Sequence, residues 1–336
     1  MPLPLNPLTE LPHPYNKIGD GPEGPEARTI ADKLRPLLLS HVISNVTLGE
    51  RARAHGFENL KCPSDIIGVR SYGKKVLIDI VCFSQGFSQG FSQGFSQGYM
   101  IIVSLGMTGR LQWSPGNHTH ITFTISQSSI SGALRIMKET GRLCFDDTRY
   151  MGNITIIPNS HIPHHFKDMG PDLLEAAQDN ATWIPLETWI AIFTQKRLKK
   201  RAMCVVLLDQ SLVAGIGNYL MSEILYYSAI HPERTVETIS NGEWDRIRIS
   251  AHKVILLAYS YGGLTIQDFI SPDGKPGIYP RVVYNRKTDP LGNPVVSAKT
   301  SHGRTSHWVP AIQPDPSLFS LPRTVPRITS LIVEKS

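Results

Sequence analysis

Pro22 and Glu23, in the stretch GDGPEGPEART, are the residues whose types and spacing point most directly to chemistry. A proline with a free nitrogen is a secondary amine that can attack an electrophilic carbon and form an iminium, and an adjoining carboxylate can handle the protons of that exchange. Inside a chain the same nitrogen is a tertiary amide and is not nucleophilic. Pro22 follows Gly21 in peptide linkage, so the pair is inert while that bond stands. Cleavage after Gly21, or translation from a methionine in place of Gly21, is the first reading. A protein that keeps its shape but lacks a nucleophile is the second. Pro2, exposed by removal of Met1 but followed by Leu3 rather than a glutamate, is a distant third.

A second segment with chemical content is LLDQSLVAGIGNYLMSEILYYSAIHPER, residues 207–234. Here one helix ends, a glycine-rich turn follows, and another helix begins at Asn218. Gly215 and Gly217 allow close approach of a ligand, and a helix N-terminus offers N–H groups and a positive dipole end to a phosphate. Taken alone, an ordinary corner between two helices explains the same residues.

The elements that must position these residues follow from patterning. With 336 residues, 41% hydrophobic and 18% charged, the chain can build two domains and a sizeable core. A formal net charge of +6 favours a polyanionic partner. Cys62, Cys82, Cys144 and Cys204 form no CxxC pair, which predicts buried thiols in a reducing compartment rather than disulfides or a zinc knuckle. No apolar run of about eighteen residues occurs, so no membrane span is expected. The proline-rich residues 1–20 read as a flexible leader without a secretory h-region. In EARTIADKLRPLL, Ile30, Leu34 and Leu38 share one helical face. The runs HVISNVTLG, KKVLIDIVCF, YMIIVSLGM and HITFTIS read as strands. Between the second and third lies FSQG in tandem, residues 83–98, which reads as an expanded hairpin loop. Helical runs follow: LETWIAIFTQKRLKKRAMCVVLLDQ, YLMSEILYYSAI and GEWDRIRISAHKVILLAYSYGG. The final module reads as a hairpin, with turns at Asp273-Gly274 and Gly292-Asn293 and RVVYNR as a strand.

These motifs, in this order, resemble the formamidopyrimidine-DNA glycosylase / endonuclease VIII family of base-excision repair enzymes. GPEGPEARTIADKL is similar to that family's N-terminus, YGKKVLIDI to its catalytic-lysine strand, and VSLGMTGRLQW and CFDDTRYMGNI to its two intercalation loops. MGPDLL looks like its interdomain segment, and residues 207–234 like its helix-two-turn-helix. GGLTIQDFISPDGKPG, with VVYNRKTDPLGNP and GRTSHWVPAIQ, resembles its lesion loop and terminal finger. The likeness runs over about residues 21–313, apart from the FSQG repeat.

The resemblance implies roles residue by residue. Pro22 would attack the sugar, Glu23 would move protons, and Glu26 would support them. Lys74 would hold a phosphate or assist proton transfer, with Lys75 taking the role if the register slips by one. Met107 and Arg149 would fill the space left by a flipped base, with Met151 or Tyr150 replacing the usual aromatic wedge. Asn218 and Arg304 would contact DNA, the latter at the phosphate of the lesion nucleotide. The finger lacks four cysteines, and His302 and His307 are too few to replace them, so no metal is expected. Packing of Val283, Val295 and Trp308 would hold it instead.

The expected fold is therefore α+β and multidomain: an N-terminal β-sandwich with a leading helix, then a helical helix-two-turn-helix domain with a zincless β-hairpin finger. The expected divisions are a leader (1–20), the catalytic sandwich (21–157), a linker (158–170), the helical domain (171–270), the lesion loop and finger (271–313) and a tail (314–336). The expected activity is that of a monomeric, cofactor-free DNA glycosylase and apurinic/apyrimidinic lyase. It would act on damaged double-stranded DNA inside the cell, in the nucleus of a eukaryote or otherwise the cytoplasm. The zincless finger and PEGPE favour oxidised pyrimidines, whereas SPDGKPGIY resembles the lesion loop of the branch preferring 8-oxoguanine. The rivals are a lesion-binding protein without lyase activity and, less favoured, a structural phosphate-binding module in an RNA or topoisomerase setting.

Overall fold

Strand β4 (Lys75–Phe83) shows why both faces of the sheet are covered. Val76, Ile78, Ile80 and Cys82 point into the main core, while Leu77 points the other way into a small cluster with Met100 and Ile102. Such two-sided burial produces a continuous apolar run rather than strict alternation. The computed structural model describes residues 21–60, 62–83, 96–131, 134–264 and 275–316.

Helix α1 (Gly24–Leu38) leads the described residues and buries Ala27, Ile30, Ala31, Leu34 and Leu38, the face that the four-residue spacing marks. The strands β1 (Val42–Leu48), β2 (Ala54–His55), β3 (Ser64–Tyr72), β4, β5 (Ser96–Ser104), β6 (Gly109–Gln112), β7 (Thr119–Ser131), β8 (Leu134–Asp147) and β9 (Asn153–Pro158) follow. They form one continuous sheet in the order β2-β9-β5-β4-β3-β1-β7-β8-β6, antiparallel except for the short β2–β9 pair. Phe57, just after β2 near one end of that order, stacks on Phe123 of β7 near the other, with centroids 6.2 Å apart. The sheet therefore folds over itself into the expected sandwich. Phe83 pairs with Ser96, so the ends of the FSQG repeat belong to β4 and β5. Residues 84–95 of the repeat, and the Asp273-Gly274 turn, lie outside the described residues.

Helix α2 (Ile162–Phe166) covers the outer cluster, with Phe166 edge-on to Tyr72 at 5.4 Å. Then come α3 (Leu173–Ala177), α4 (Leu186–Phe193), α5 (Met203–Val206), α6 (Asn218–Ser228) and α7 (Asn241–Ser260). The helical run from Leu186 comprises α4 and α5, with a 3-10 turn between them. Helix α7 starts at a capping box, Ser240 with Glu243, and Glu243 also binds the buried Arg234 at 2.6 Å.

The finger consists of β10 (Val296–Lys299) and β11 (Thr305–Trp308). RVVYNR, expected as a strand, is not one. Successive N–H groups of a strand point to opposite sides, yet Val282, Val283 and Tyr284 all donate to the carboxylate of Glu223 on α6, each at 2.9 Å. The chain wraps the carboxylate as a turn, with Asn285 at φ 53°. Glu223 is fully buried, and burial raises its pKa.

His252, buried on α7 under Trp183, accepts from the Ile184 N–H through Nε2 at 3.1 Å, and Nδ1 lies 2.8 Å from the Arg248 carbonyl. Both bonds suit the neutral ring, and burial pushes its pKa down to about 4. A depressed histidine stabilises the fold fully above its ordinary pKa of 6.5 and loses that contribution as pH falls toward 4. The expected loss is about 3 kcal/mol between those limits, at roughly 1.4 kcal/mol per pKa unit. Urea unfolding across this range should show it, and His252→Gln should flatten the profile. Parallel profiles for the two proteins would refute the assignment.

Candidate active site

The start of α1 meets the start of α6 through one carboxylate. Glu23, 1% exposed, accepts from the N–H groups of Gly217 at 2.7 Å, Tyr219 at 3.0 Å and Leu220 at 3.3 Å. These are the unpaired groups of a helix N-terminus, where the positive dipole end also favours an anion. The anion bound there is thus part of the chain, which corrects the expectation that this terminus stands open to a phosphate. A Cβ at position 217 would lie 2.1 Å from the Glu23 carboxyl carbon, which explains the glycine. The Gly24 N–H adds a 2.9 Å bond to the Gly215 carbonyl.

Glu26, one helical turn on, is fully buried and accepts from the Glu23 N–H at 2.9 Å, the Leu264 N–H at 2.6 Å and the Tyr219 hydroxyl at 3.0 Å. Burial raises its pKa against those three hydrogen bonds, and burial likewise lifts the Tyr219 phenol well above its ordinary value. Pro22 is itself buried, and Gly21 lies against Gly106 and Met107.

Lys74 sits in the two-residue turn between β3 and β4 rather than on a strand. Its neighbour Gly73 packs against Ala214 and Gly215, and the Gly73 N–H donates to Asp172 at 2.7 Å. Asp172 also caps α3 through the N–H groups of Leu174 and Glu175. The turn is thereby brought to the segment that receives Gly24. Lys75 points elsewhere: its Nζ donates to Ser104 at 2.9 Å, and it lies on the face of Tyr72 that α2 covers. Burial lowers the Lys75 pKa.

Two loops stand beside Pro22. Met107 lies half-buried in the turn after β5, and Arg149 and Met151 are exposed in the turn after β8. The buried Asp147 joins them, accepting from the Thr108 hydroxyl, the Arg149 N–H at 3.2 Å and the Gly152 N–H at 2.7 Å. Tyr150 is not a free wedge. Its ring rests on His120 at 4.3 Å with Arg51 over it, and its carbonyl takes a hydrogen bond from Arg53. Met151, 50% exposed, is the side chain left projecting.

The finger is tied to the same place. Asn218, 3% exposed at the first turn of α6, donates from Nδ2 to the Thr305 carbonyl at 2.9 Å, and Thr305 follows the exposed Arg304. Within the finger, Ser306 bonds Thr300 at 2.7 Å and His302 at 2.9 Å. Trp308 packs edge-on to His231 and His307 to Tyr284. Val283 is fully buried and Val295 packs against the core. Among the described residues no three His, Cys, Asp or Glu side chains are placed to hold a metal ion.

Comparison with known proteins matches three family descriptions in the order of the chain. The formamidopyrimidine-DNA glycosylase N-terminal domain matches residues 21–154, its H2TH domain residues 186–270 and its C-terminal domain residues 279–314. The chain belongs to the formamidopyrimidine-DNA glycosylase family. A glycosylase of that name from Rickettsia felis is 27% identical, covering 85% of this chain and 96% of its own. One from Pelotomaculum thermopropionicum is 28% identical, covering 87% and 99%. Among solved structures, the Thermus thermophilus enzyme aligns with TM-score 0.69 and 25% identity over 87% of this chain and 98% of its own. The Lactococcus lactis enzyme bound to DNA containing an oxidised pyrimidine aligns with TM-score 0.69 and 21% identity, covering 88% and 100%.

Within this glycosylase fold, Pro22, Glu23, the Lys74 turn, Met107 and Asn218 converge, and Arg304 approaches through the finger. Sequence reasoning missed three organising acids: Asp147, Asp172 and Glu223. Glu223 had a signal, a lone acid among Leu220, Met221, Ile224 and Leu225. Asp147 had a weaker one, the Asp pair in CFDDTRY. Asp147→Ala should orphan buried donors in both loops and cost about 1–3 kcal/mol. In the form beginning at Pro22, excision should fall more than tenfold in single-turnover assays, with undamaged-duplex binding changed less than threefold. Wild-type excision by a folded Asp147→Ala protein would show that the loops are held by other means.

Proposed function

We propose that this protein is a base-excision repair glycosylase that removes oxidised bases from double-stranded DNA, with an associated lyase activity once Pro22 carries a free nitrogen. The observation that carries the reading is the convergence of Pro22 and Glu23 on the start of α6 beside the Gly73-Lys74 turn. In the proposed reaction the Pro22 nitrogen bonds to the sugar C1′ as the C1′–base bond breaks. The base leaves with the proton that the Pro22 nitrogen gives up, the C1′–O4′ bond breaks as O4′ takes a proton and the iminium forms, and loss of a proton from C2′ expels the 3′ phosphate. Glu23 serves the proton transfers and Lys74 a phosphate. Asn218 and Arg304 hold the lesion strand, and Met107, Arg149 and Met151 occupy the gap left by the flipped nucleotide.

Oxidised pyrimidines are the proposed preferred lesion, with further-oxidised purines next, and the protein is proposed to act as a monomer. The PEGPE stretch and a finger sequence without four cysteines support the first choice. The family match begins at residue 21, one position before Pro22, which supports a processed or alternative start. The Gly21–Pro22 bond favours a second reading for the uncut chain: a protein that binds lesions but cannot form the iminium.

Borohydride trapping separates the two. A protein beginning at Pro22 should become covalently joined to abasic DNA and excise an oxidised pyrimidine, while the full chain should bind without trapping. Failure of the Pro22 form to trap, despite binding, would overturn the glycosylase/lyase reading. Arg304→Ala should weaken lesion-DNA binding about tenfold, consistent with about 1–3 kcal/mol for a charge-assisted phosphate contact. Unchanged binding in a fluorescence titration would remove the finger from the interface.

A further inference from the structure

Between α4 and α5 the chain reads KRLKKR, residues 196–201, and this run takes no part in the site described above. Lys196, Arg197, Lys199, Lys200 and Arg201 are all exposed, while Leu198 between them is 5% exposed and anchors the run in the core. Among the described residues none of the five forms an ion pair, although Arg28, Arg70, Arg142 and Arg248 elsewhere on the surface do. Arg197 bonds only to Gln195, which carries no charge. Solvated charge runs ordinarily mix the two signs. Five cations held together without carboxylate partners repel one another and attract a polyanion.

The backbone of the run is ordered in advance. Leu198 N–H donates to Gln195 and Arg201 N–H to Leu198, each at 2.8 Å, and the carbonyls of Lys199 and Arg201 accept from Glu237 and Val236, each at 3.0 Å. The same short ladder leads to the finger. Met203 N–H bonds the Arg234 carbonyl at 2.8 Å, and the preceding residue, Glu233, accepts from the Ser301 N–H at 2.7 Å in the finger turn that ends at Arg304. The run is thus tied through residues 233–237 to the finger turn that carries Arg304. Arg197 and Arg201 also flank a cavity of about 240 Å³ whose wall includes Asp209, and that carboxylate is engaged by the Ser211 N–H and hydroxyl.

We propose that residues 196–201 form a second DNA-contacting ridge that grips backbone phosphates beyond the lesion, on the arm of the duplex that lies past the finger. The proposal rests on the reading of the protein as a DNA enzyme and adds a specific surface to it. An extended-peptide receptor fits the run less well, because capture in that form would extract Leu198 and break the ladder to Val236 and Glu237.

The test uses the whole chain and a variant carrying Lys199→Gln, Lys200→Gln and Arg201→Gln. Binding to undamaged duplexes is measured against salt, with the duplex lengthened on one side at a time. For the wild type, lengthening one arm should tighten binding and steepen the salt dependence. The variant should lose that gain, with a log–log slope lower by about two for two to three lost phosphate contacts. Lesion binding on a duplex too short to reach the ridge should be unchanged, which also reports that the variant is folded. Lys199→Arg with Lys200→Arg keeps the charge and should keep the slope. Equal slopes for wild type and the Gln variant, or a loss of equal size on the short duplex, would overturn the ridge. Absence of trapping by the Pro22 form would instead count against the catalytic reading and leave this measurement intact.

Discussion

The carboxylate of Glu23 does two jobs that cannot be separated. Its three accepted hydrogen bonds satisfy the start of α6, and its own backbone begins α1 by accepting from Ala27 and donating to Glu26. The N-terminus of the first described helix is therefore docked on the N-terminus of a helix nearly two hundred residues later. Two such ends carry like dipole charge and would repel without an anion between them. One buried acid turns that repulsion into attachment, and it places Pro22 at the junction.

The same device recurs at four other places where segments distant in sequence meet. Glu26 collects Leu264 and Tyr219, Asp172 collects Gly73, Glu223 collects the chain at residues 282–284, and Asp147 collects the two loops beside Pro22. Apolar contact alone would allow these segments to slide, because it is non-directional. A carboxylate accepting several N–H groups fixes register instead. A glutamine could not replace Glu23 or Glu223, since its amide nitrogen would face donors. The cost of burying these acids is visible in the raised pKa values of Glu26, Asp172 and Glu223, each caused first by desolvation and opposed by the bonds it receives.

What could be read in the sequence followed from local periodicity and local motif. The apolar face of α1, the strands β1, β4, β5 and β7, and the corner at Gly215–Asn218 all have their cause within a few neighbouring residues. The failures share a different cause. RVVYNR has strand-forming residues, yet Glu223, some sixty positions earlier, claims three of its N–H groups. Tyr150 has the type of a wedge, yet His120 and Arg51 hold it against the sheet. The start of α6 has the pattern of an anion site, and it is one, but the anion is Glu23. In each case a tertiary partner far along the chain overrides what the local residues favour.

Position 21 links this geometry to the question of the nucleophile. A Cβ there would stand 2.0 Å from the Gly106 carbonyl oxygen, on the turn that carries Met107, so the peptide entering Pro22 passes where only glycine fits. The fit of Gly21 therefore lets the folded protein form around an intact Gly21–Pro22 bond, with Glu23 already docked on α6. Activation by cleavage would then require no rearrangement of the site, because the docking depends on Glu23 and Glu26 rather than on the Pro22 nitrogen. Release of the leader would change one atom's chemistry, from amide to amine, inside an arrangement already built.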